Sequence, residues 1–343
     1  MRIGSIAPMS DFWKVVREFN PEGIEREATA PLDVWLLGEP ESGRHTVARS
    51  ILGAAASSEL GRLFTLFDLG KQQDPIPLGE RPDLIVLVVR LDHPLADIAN
   101  QASAVVSRLR VPAVLVFTYA DKVEITRDLR NTAYRTFSFA SFLRTAFTDA
   151  RDQAEVQSKL VPIILDAIPS LRTPLARRVP AARAAVAQQI VEETSRVNAQ
   201  FALIANLPAY LPFVGGVAGS LADFFVLTKN QMMMAMRLAS IYGRDVTLTR
   251  QVLAEIAPVI GNGLLWRSAA RLTVGMLPSV VAAAPKAAIA YVGTYVAGRA
   301  ARYYYDEGRK PPRELIKTFS SEGRRLYSQT MDRSQPSKPA AEF

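Results

Sequence analysis

Leu32-Asp33-Val34-Trp35-Leu36-Leu37-Gly38-Glu39-Pro40-Glu41-Ser42-Gly43-Arg44-His45-Thr46 is the stretch on which the fold turns. Leu32 to Leu37 reads as a short apolar strand, and Val47, Ile51 and Leu52 continue past Thr46 at helical spacing. The segment Gly38-x-x-x-x-Gly43 therefore lies between a strand and a helix, where a phosphate-binding loop belongs. Glycines there let backbone N–H groups close around phosphate oxygens, and the helix N-terminus adds partial positive charge. A working loop also needs a Lys for the terminal phosphates and a Ser or Thr hydroxyl for magnesium. Arg44 stands in the Lys place and His45 in the hydroxyl place, with Ser42 inside the loop. Thr46 comes one residue late, which on a helix is a rotation of about 100°. Glu39 and Glu41 put negative charge into the loop, against phosphate. A strand–helix turn that binds nothing fits the same residues.

Outward from that loop, strands and helices alternate. Leu63 to Phe67 reads as a second strand ending in Asp68-Leu69-Gly70, and Leu84 to Val89 as a strand buried on both faces. Leu95 to Leu109 follows as a helix, and Ala113 to Thr118 as another buried strand leading into Tyr119-Ala120-Asp121-Lys122. Phe137 to Phe147 is expected to be helical, and Leu160 to Leu165 to be the last strand, closed by Asp166-Ala167. This alternation predicts a mostly parallel sheet wrapped by helices. Before it, Phe12 to Phe19 reads as a short helix ending near Asn20-Pro21, with a polar connector to Ala30.

Beyond Leu171 no strand pattern recurs. A Pro-punctuated basic stretch with Arg172, Arg177, Arg178 and Arg183 reads as a hinge. Ala184 to Asn198, Thr228 to Tyr242 with Gly243 as its cap, and Thr249 to Ile260 read as helices. Two apolar stretches, Ala199 to Leu227 and Thr273 to Ala301, each carry one internal charge, Asp223 and Lys286. Both exceed the roughly 20 residues that span a bilayer. They are rich in Ala and Gly, which favour close helix packing. Basic residues near both ends of each leave the orientation open. Two spans, a re-entrant or interfacial hairpin, and a soluble core all fit. Asp223 reads as a structural partner inside the bundle, and the run Met232-Met233-Met234 with Met236 as core. The tail from Ser328 is expected to be disordered.

The expected division is 1–30 helix and connector, 31–169 α/β domain, 170–183 hinge, 184–327 helical domain and 328–343 tail. The 343-residue chain has no cysteine, which excludes disulfides and thiol chemistry, and its two histidines argue against a His-based metal site or triad. The net charge of +8 is spread over scattered arginines, which argues against nucleic acid as a partner. Met1 to Phe19 lacks the uninterrupted apolar core of a secretory signal.

The order of elements resembles the Era-like P-loop GTPases, with every motif eroded. Asp68-Leu69-Gly70 lies where the second switch Asp-x-x-Gly would be, one residue short. Thr118-Tyr119-Ala120-Asp121 lies where Asn/Thr-Lys-x-Asp reads guanine: Asp121 is kept, and Tyr119 replaces the stacking Lys. Asp166-Ala167 falls where a Ser-Ala base contact would be. There is no room for a full first switch. The resemblance implies GTP and magnesium as the cofactors such a loop would take, if it takes any. Gly38, Ser42, Gly43, Arg44, His45, Thr46, Asp68 and Asp121 are the candidate nucleotide contacts, and no residue stands out as catalytic or as a metal ligand.

Leu211-Pro212, Asp223, Gln231-Met232, Ile241-Tyr242-Gly243 and Gly293-Thr294-Tyr295-Val296-Ala297-Gly298-Arg299 make the segment from Arg183 to Tyr305 resemble the helical domain of bacterial YcjF-like proteins, often fused behind an Era-like domain. That resemblance implies a membrane-associated protein on the cytoplasmic face of the bacterial cytoplasmic membrane, or otherwise in the cytoplasm. Its partner would be the membrane or a membrane protein, and a homo-oligomer is compatible with it. The combined expectation is a pseudo-GTPase that binds or scaffolds. The competing expectations are a slow regulatory GTPase and a soluble helical interaction module.

Overall fold

The computed structural model describes residues 20–70, 76–77, 79–139, 144–204, 217–256, 258–259 and 279–334. The expected helix from Phe12 to Phe19, the Pro/Gly breaks between 205 and 216 and the side chain of Asp223 lie outside the described residues.

The first elements are α1 (Pro21–Ala28), β1 (Val34–Gly38), α2 (Arg44–Leu52), α3 (Ala56–Leu63), β2 (Phe64–Asp68) and β3 (Leu84–Arg90). Then come α4 (Leu95–Leu109), β4 (Ala113–Thr118), α5 (Arg127–Thr136), β5 (Thr145–Phe147), α6 (Gln153–Ala167) and α7 (Arg172–Arg178). The five strands form one sheet in the order β2-β1-β3-β4-β5. All four pairings are parallel. β1 and β4 are buried at every position and β3 at all but Arg90, as strands with both faces covered require. β2 is an edge strand, and only Phe64 in it is fully buried. Trp35, Leu37, Leu87, Phe117 and Phe137 anchor one core, each contributing about 1.5–3 kcal/mol by leaving water.

Several expectations need correction. Leu160 to Leu165 is not a strand but part of α6, which carries Pro162 inside it and is capped by the Asp152 carboxylate accepting from Glu155 N. α6 packs on α2 and β4 and buries seven apolar side chains, so its apolar run imitates a buried strand. The fifth strand is Thr145–Phe147, three residues long, inside the segment expected as a helix. The helix there is the earlier α5, capped by Thr126 and ended at Phe137. Asn20-Pro21 begins a helix. Asn20 Oδ1 accepts from Gly23 N at 2.8 Å, and Pro21 opens α1 across the expected connector.

The helical elements that follow are α8 (Pro180–Ile204), α9 (Val217–Ile241), α10 (residues 249–256), α11 (Ser279–Glu307) and α12 (Arg313–Ser334). Contacts divide the chain into residues 26–186 and a second unit of 1–25 with 187–343. The stretch 170–183, expected as a hinge, is largely helical and sits within the sheet unit. Arg172 Nε donates to Leu165 O at 2.9 Å, and Arg178 donates to Leu32 O and Ala30 O at 3.2 and 3.1 Å. Residues 328–334, expected as tail, continue α12.

In the helical unit, α9 ends in a Schellman turn at Gly243 (φ 85°), with Gly243 N on Ser240 O and Arg244 N on Ala239 O, both at 3.0 Å. Met232, Met234 and Met236 are core. At Gly298 α11 comes so close to its neighbours that a Cβ there would lie 2.5 Å from Val191 Cγ2. A polar ladder crosses this core. Thr294 Oγ1 accepts from Asn198 Nδ2 at 2.9 Å and Gln231 Nε2 at 3.1 Å, and donates to Ala290 O at 2.8 Å. Asn230 Nδ2 donates to Asn198 Oδ1 at 2.7 Å. No helix among the described residues is long and apolar enough to cross a membrane.

Candidate functional site

In the order β2-β1-β3-β4-β5, β1 has β2 on one side and β3 on the other. The sheet is therefore built outward in both directions from β1, and the carboxyl ends of β1 and β3 form its topological switch point, where ligands of parallel α/β sheets bind. Residues 39–43 leave β1 at that point and enter α2. Gly38 is required there: a Cβ would lie 2.4 Å from Val88 O and 2.6 Å from Ser42 Oγ.

The loop winds through two left-handed residues, Glu41 (φ 63°) and Gly43 (φ 87°), separated by Ser42. Ser42 N donates to Glu39 O at 3.1 Å within this turn. Gly43 is the N-cap of α2 and no side chain caps the helix, so its first-turn N–H groups stay available. Ser42 is 0% exposed, with Oγ unpartnered. Its carbonyl accepts from Thr118 Oγ1 at 2.8 Å.

The charged side chains of the loop turn to other groups of the chain. The Arg44 guanidinium turns to β2, where it pairs with the Asp68 carboxylate and donates to Phe67 O, while Nε stays buried without a partner. Glu39 Oε1 lies 3.3 Å from His93 Nδ1. Glu41 lies 3.5 Å from Arg90 Nη1, and its carbonyl accepts from Tyr119 OH at 3.2 Å. Arg90, at the carboxyl end of β3, grips Asp92 through Nε at 3.0 Å and Nη2 at 2.8 Å. This hydrogen bonding holds the Arg90 proton more tightly and pulls the Asp92 carboxyl below its usual range. Arg90 and Lys122 both lie over the Tyr119 ring, at 4.5 and 4.6 Å. Tyr119 is itself left-handed (φ 59°), a strained state for a bulky residue and one held by these contacts.

Gly38, Ser42, Gly43, Arg44 and Asp68 thus come together at one end of the sheet. His45 and Asp121 are exposed. Thr46 faces away, into a shallow concavity of about 400 Å³ with Arg49 and Arg151. Asp166 is no neighbour of the loop. It lies near the far end of the 15-residue α6, pairing with Arg144 at 3.2 Å and Arg172 at 3.6 Å. The segment that follows the true fifth strand is Thr148-Asp149-Ala150, which the sequence reading missed. Thr148 N donates to Phe117 O at 2.9 Å, and Ala150 O accepts from Ser50 Oγ at 2.8 Å. Ala150 Cβ is 3.6 Å from where a Gly43 Cβ would stand, so this segment borders the loop. Arg90 was also missed, although a lone charge closing an apolar parallel strand is a signal for it. No cluster of three or more His, Asp or Glu suited to a metal occurs among the described residues.

No protein-family model matches the chain, and no curated protein matches it in sequence.

Proposed function

We propose that the chain is a degenerate P-loop protein of Era-like layout that works by binding and scaffolding rather than by hydrolysis. The observation that carries this reading is the Arg44–Asp68 pair, in which the cation standing in the Lys place is neutralised by the chain's own carboxylate. The start of α2 suits a phosphate, because no side chain caps it and its first-turn N–H groups can act as donors. The side chains do not fit magnesium. His45 is exposed where a hydroxyl ligand would stand, and Asp68 is engaged by a guanidinium. Phosphoryl transfer needs several kcal/mol of positioned charge around the terminal phosphate, and this set does not supply it. Phosphate release from GTP at the rate of a Gly38/Gly43 double-mutant background is expected. Release clearly above that background would overturn the reading in favour of a slow GTPase.

We assign the helical unit, with its likeness to the YcjF-like domain, to attachment at the cytoplasmic face of a bacterial membrane or to a membrane protein. Cell fractionation is expected to leave the chain with the membranes, and recovery of all of it in the detergent-free soluble fraction would defeat this half of the reading.

A further inference from the structure

We infer that Asp68 is a built-in occupant of the loop: an autoinhibitory carboxylate that holds Arg44 off the cradle until a phosphate-bearing anion displaces it. The inference rests on the reading of residues 38–46 as a phosphate cradle and goes beyond it by naming what closes the cradle.

Unpartnered polar atoms are concentrated in this loop. Five buried side-chain atoms among the described residues have no hydrogen-bond partner, and three of them belong to it: Glu39 Oε1, Ser42 Oγ and Arg44 Nε. Buried polar groups are ordinarily paired; Glu39 Oε1 is an acceptor 3.3 Å from His93 Nδ1 and takes no anion, which leaves Ser42 Oγ and Arg44 Nε as the two groups that can donate to a partner from outside. Ser42 Oγ and Arg44 Nε both take acceptors or, for the hydroxyl, share a proton with one, and phosphate oxygens are acceptors. The Arg44 side chain is only 10% exposed and Asp68 24%, so their attraction is little screened by solvent.

Register fixes the pair. Gly38 lies opposite Asp68 in the β1–β2 ladder, and Leu69 N donates to Gly38 O at 2.8 Å, which sets the carboxylate beside the loop's origin. A guanidinium reaches farther than an ammonium and offers separate N–H groups, so Arg44 leans across to β2 with Nη2 on the Asp68 carboxylate and Nη1 on Phe67 O. An entering anion must outcompete a carboxylate. That selects a doubly or triply charged phosphate over chloride or acetate. Once released, Arg44 can meet the anion from the side opposite the α2 amides.

The test is calorimetric titration of the full chain with inorganic pyrophosphate in the presence of a chelator. The variants are Asp68→Asn, which keeps the side chain's shape, Asp68→Ala, and Asp68→Ala with Arg44→Ala; thermal melts confirm that each is folded. Relative to wild type, both single variants are expected to bind about tenfold tighter or more, the worth of one charge-assisted contact. The gain should vanish in the double variant. Equal affinity in wild type and the folded single variants would overturn the inference while leaving the cradle intact. A gain that survives loss of Arg44 would overturn it as well. Absence of binding in every folded variant would remove the cradle and the inference together.

Discussion

Among the described residues, the network around Thr294 and the loop after β1 treat buried polar groups in opposite ways, although Arg237 Nε and Tyr305 OH elsewhere in the helical unit are unpartnered too. In the helical unit, Asn198, Gln231 and Thr294 are 0%, 2% and 0% exposed, and the Thr294 hydroxyl uses its one donor and both acceptor sites. At the carboxyl end of the sheet, Ser42 is equally buried and its hydroxyl has no partner. A saturated network fixes which residues face each other across α8, α9 and α11 and leaves nothing for a ligand to add. An unsaturated loop costs stability and leaves donors for one. The contrast sets a core network whose members hold one another against a loop with a hydroxyl left over, the feature on which the proposed binding role rests.

A pair of substitutions can break that contrast. Thr294→Val keeps the shape but leaves Asn198 Nδ2 and Gln231 Nε2 without their acceptor, and is expected to cost about 2–3 kcal/mol in chemical denaturation. Ser42→Ala removes a hydroxyl that bonds nothing, and is expected to change stability by about 0.5 kcal/mol or less. A large loss at Ser42, or none at Thr294, would erase the distinction.

The parts of the fold that could be read in the sequence are those whose physics is local. β1, β3 and β4 are continuous apolar runs bounded by turns, and they lie within a residue or two of where the pattern puts them. Gly38 and Gly43 mark the loop because only glycine suits their positions. The errors arose where one pattern serves two structures. Leu160 to Leu165 is apolar because every residue of it but Pro162 is buried in α6, and an apolar run of that length does not reveal its period. Taking it for the fifth strand carried the expected base contact to Asp166-Ala167, far from the segment Thr148-Asp149-Ala150 that borders the loop. The three residues of β5 were too few to register. Asn20-Pro21 is a helix start by cap and proline chemistry, a signal that the polar composition of the segment after it hides.

The site's decisive feature is non-local. That Arg44 belongs to Asp68 follows from the β1–β2 register, and neither residue announces it in the sequence. The same holds for Arg90, which joins Glu41, Asp92 and Tyr119 from three separate segments. The residues at 44, 45 and 119 could be read from the sequence. That Arg44 pairs with Asp68, and Arg90 with Glu41 and Asp92, could not.

On the proposed reading, this loop receives a phosphate on backbone amides without help from a metal. A fluorescent-GTP titration of the wild-type chain with and without magnesium tests this. Weak binding whose affinity is the same in both conditions is expected. Tight, guanine-selective binding that appears only with magnesium would contradict it.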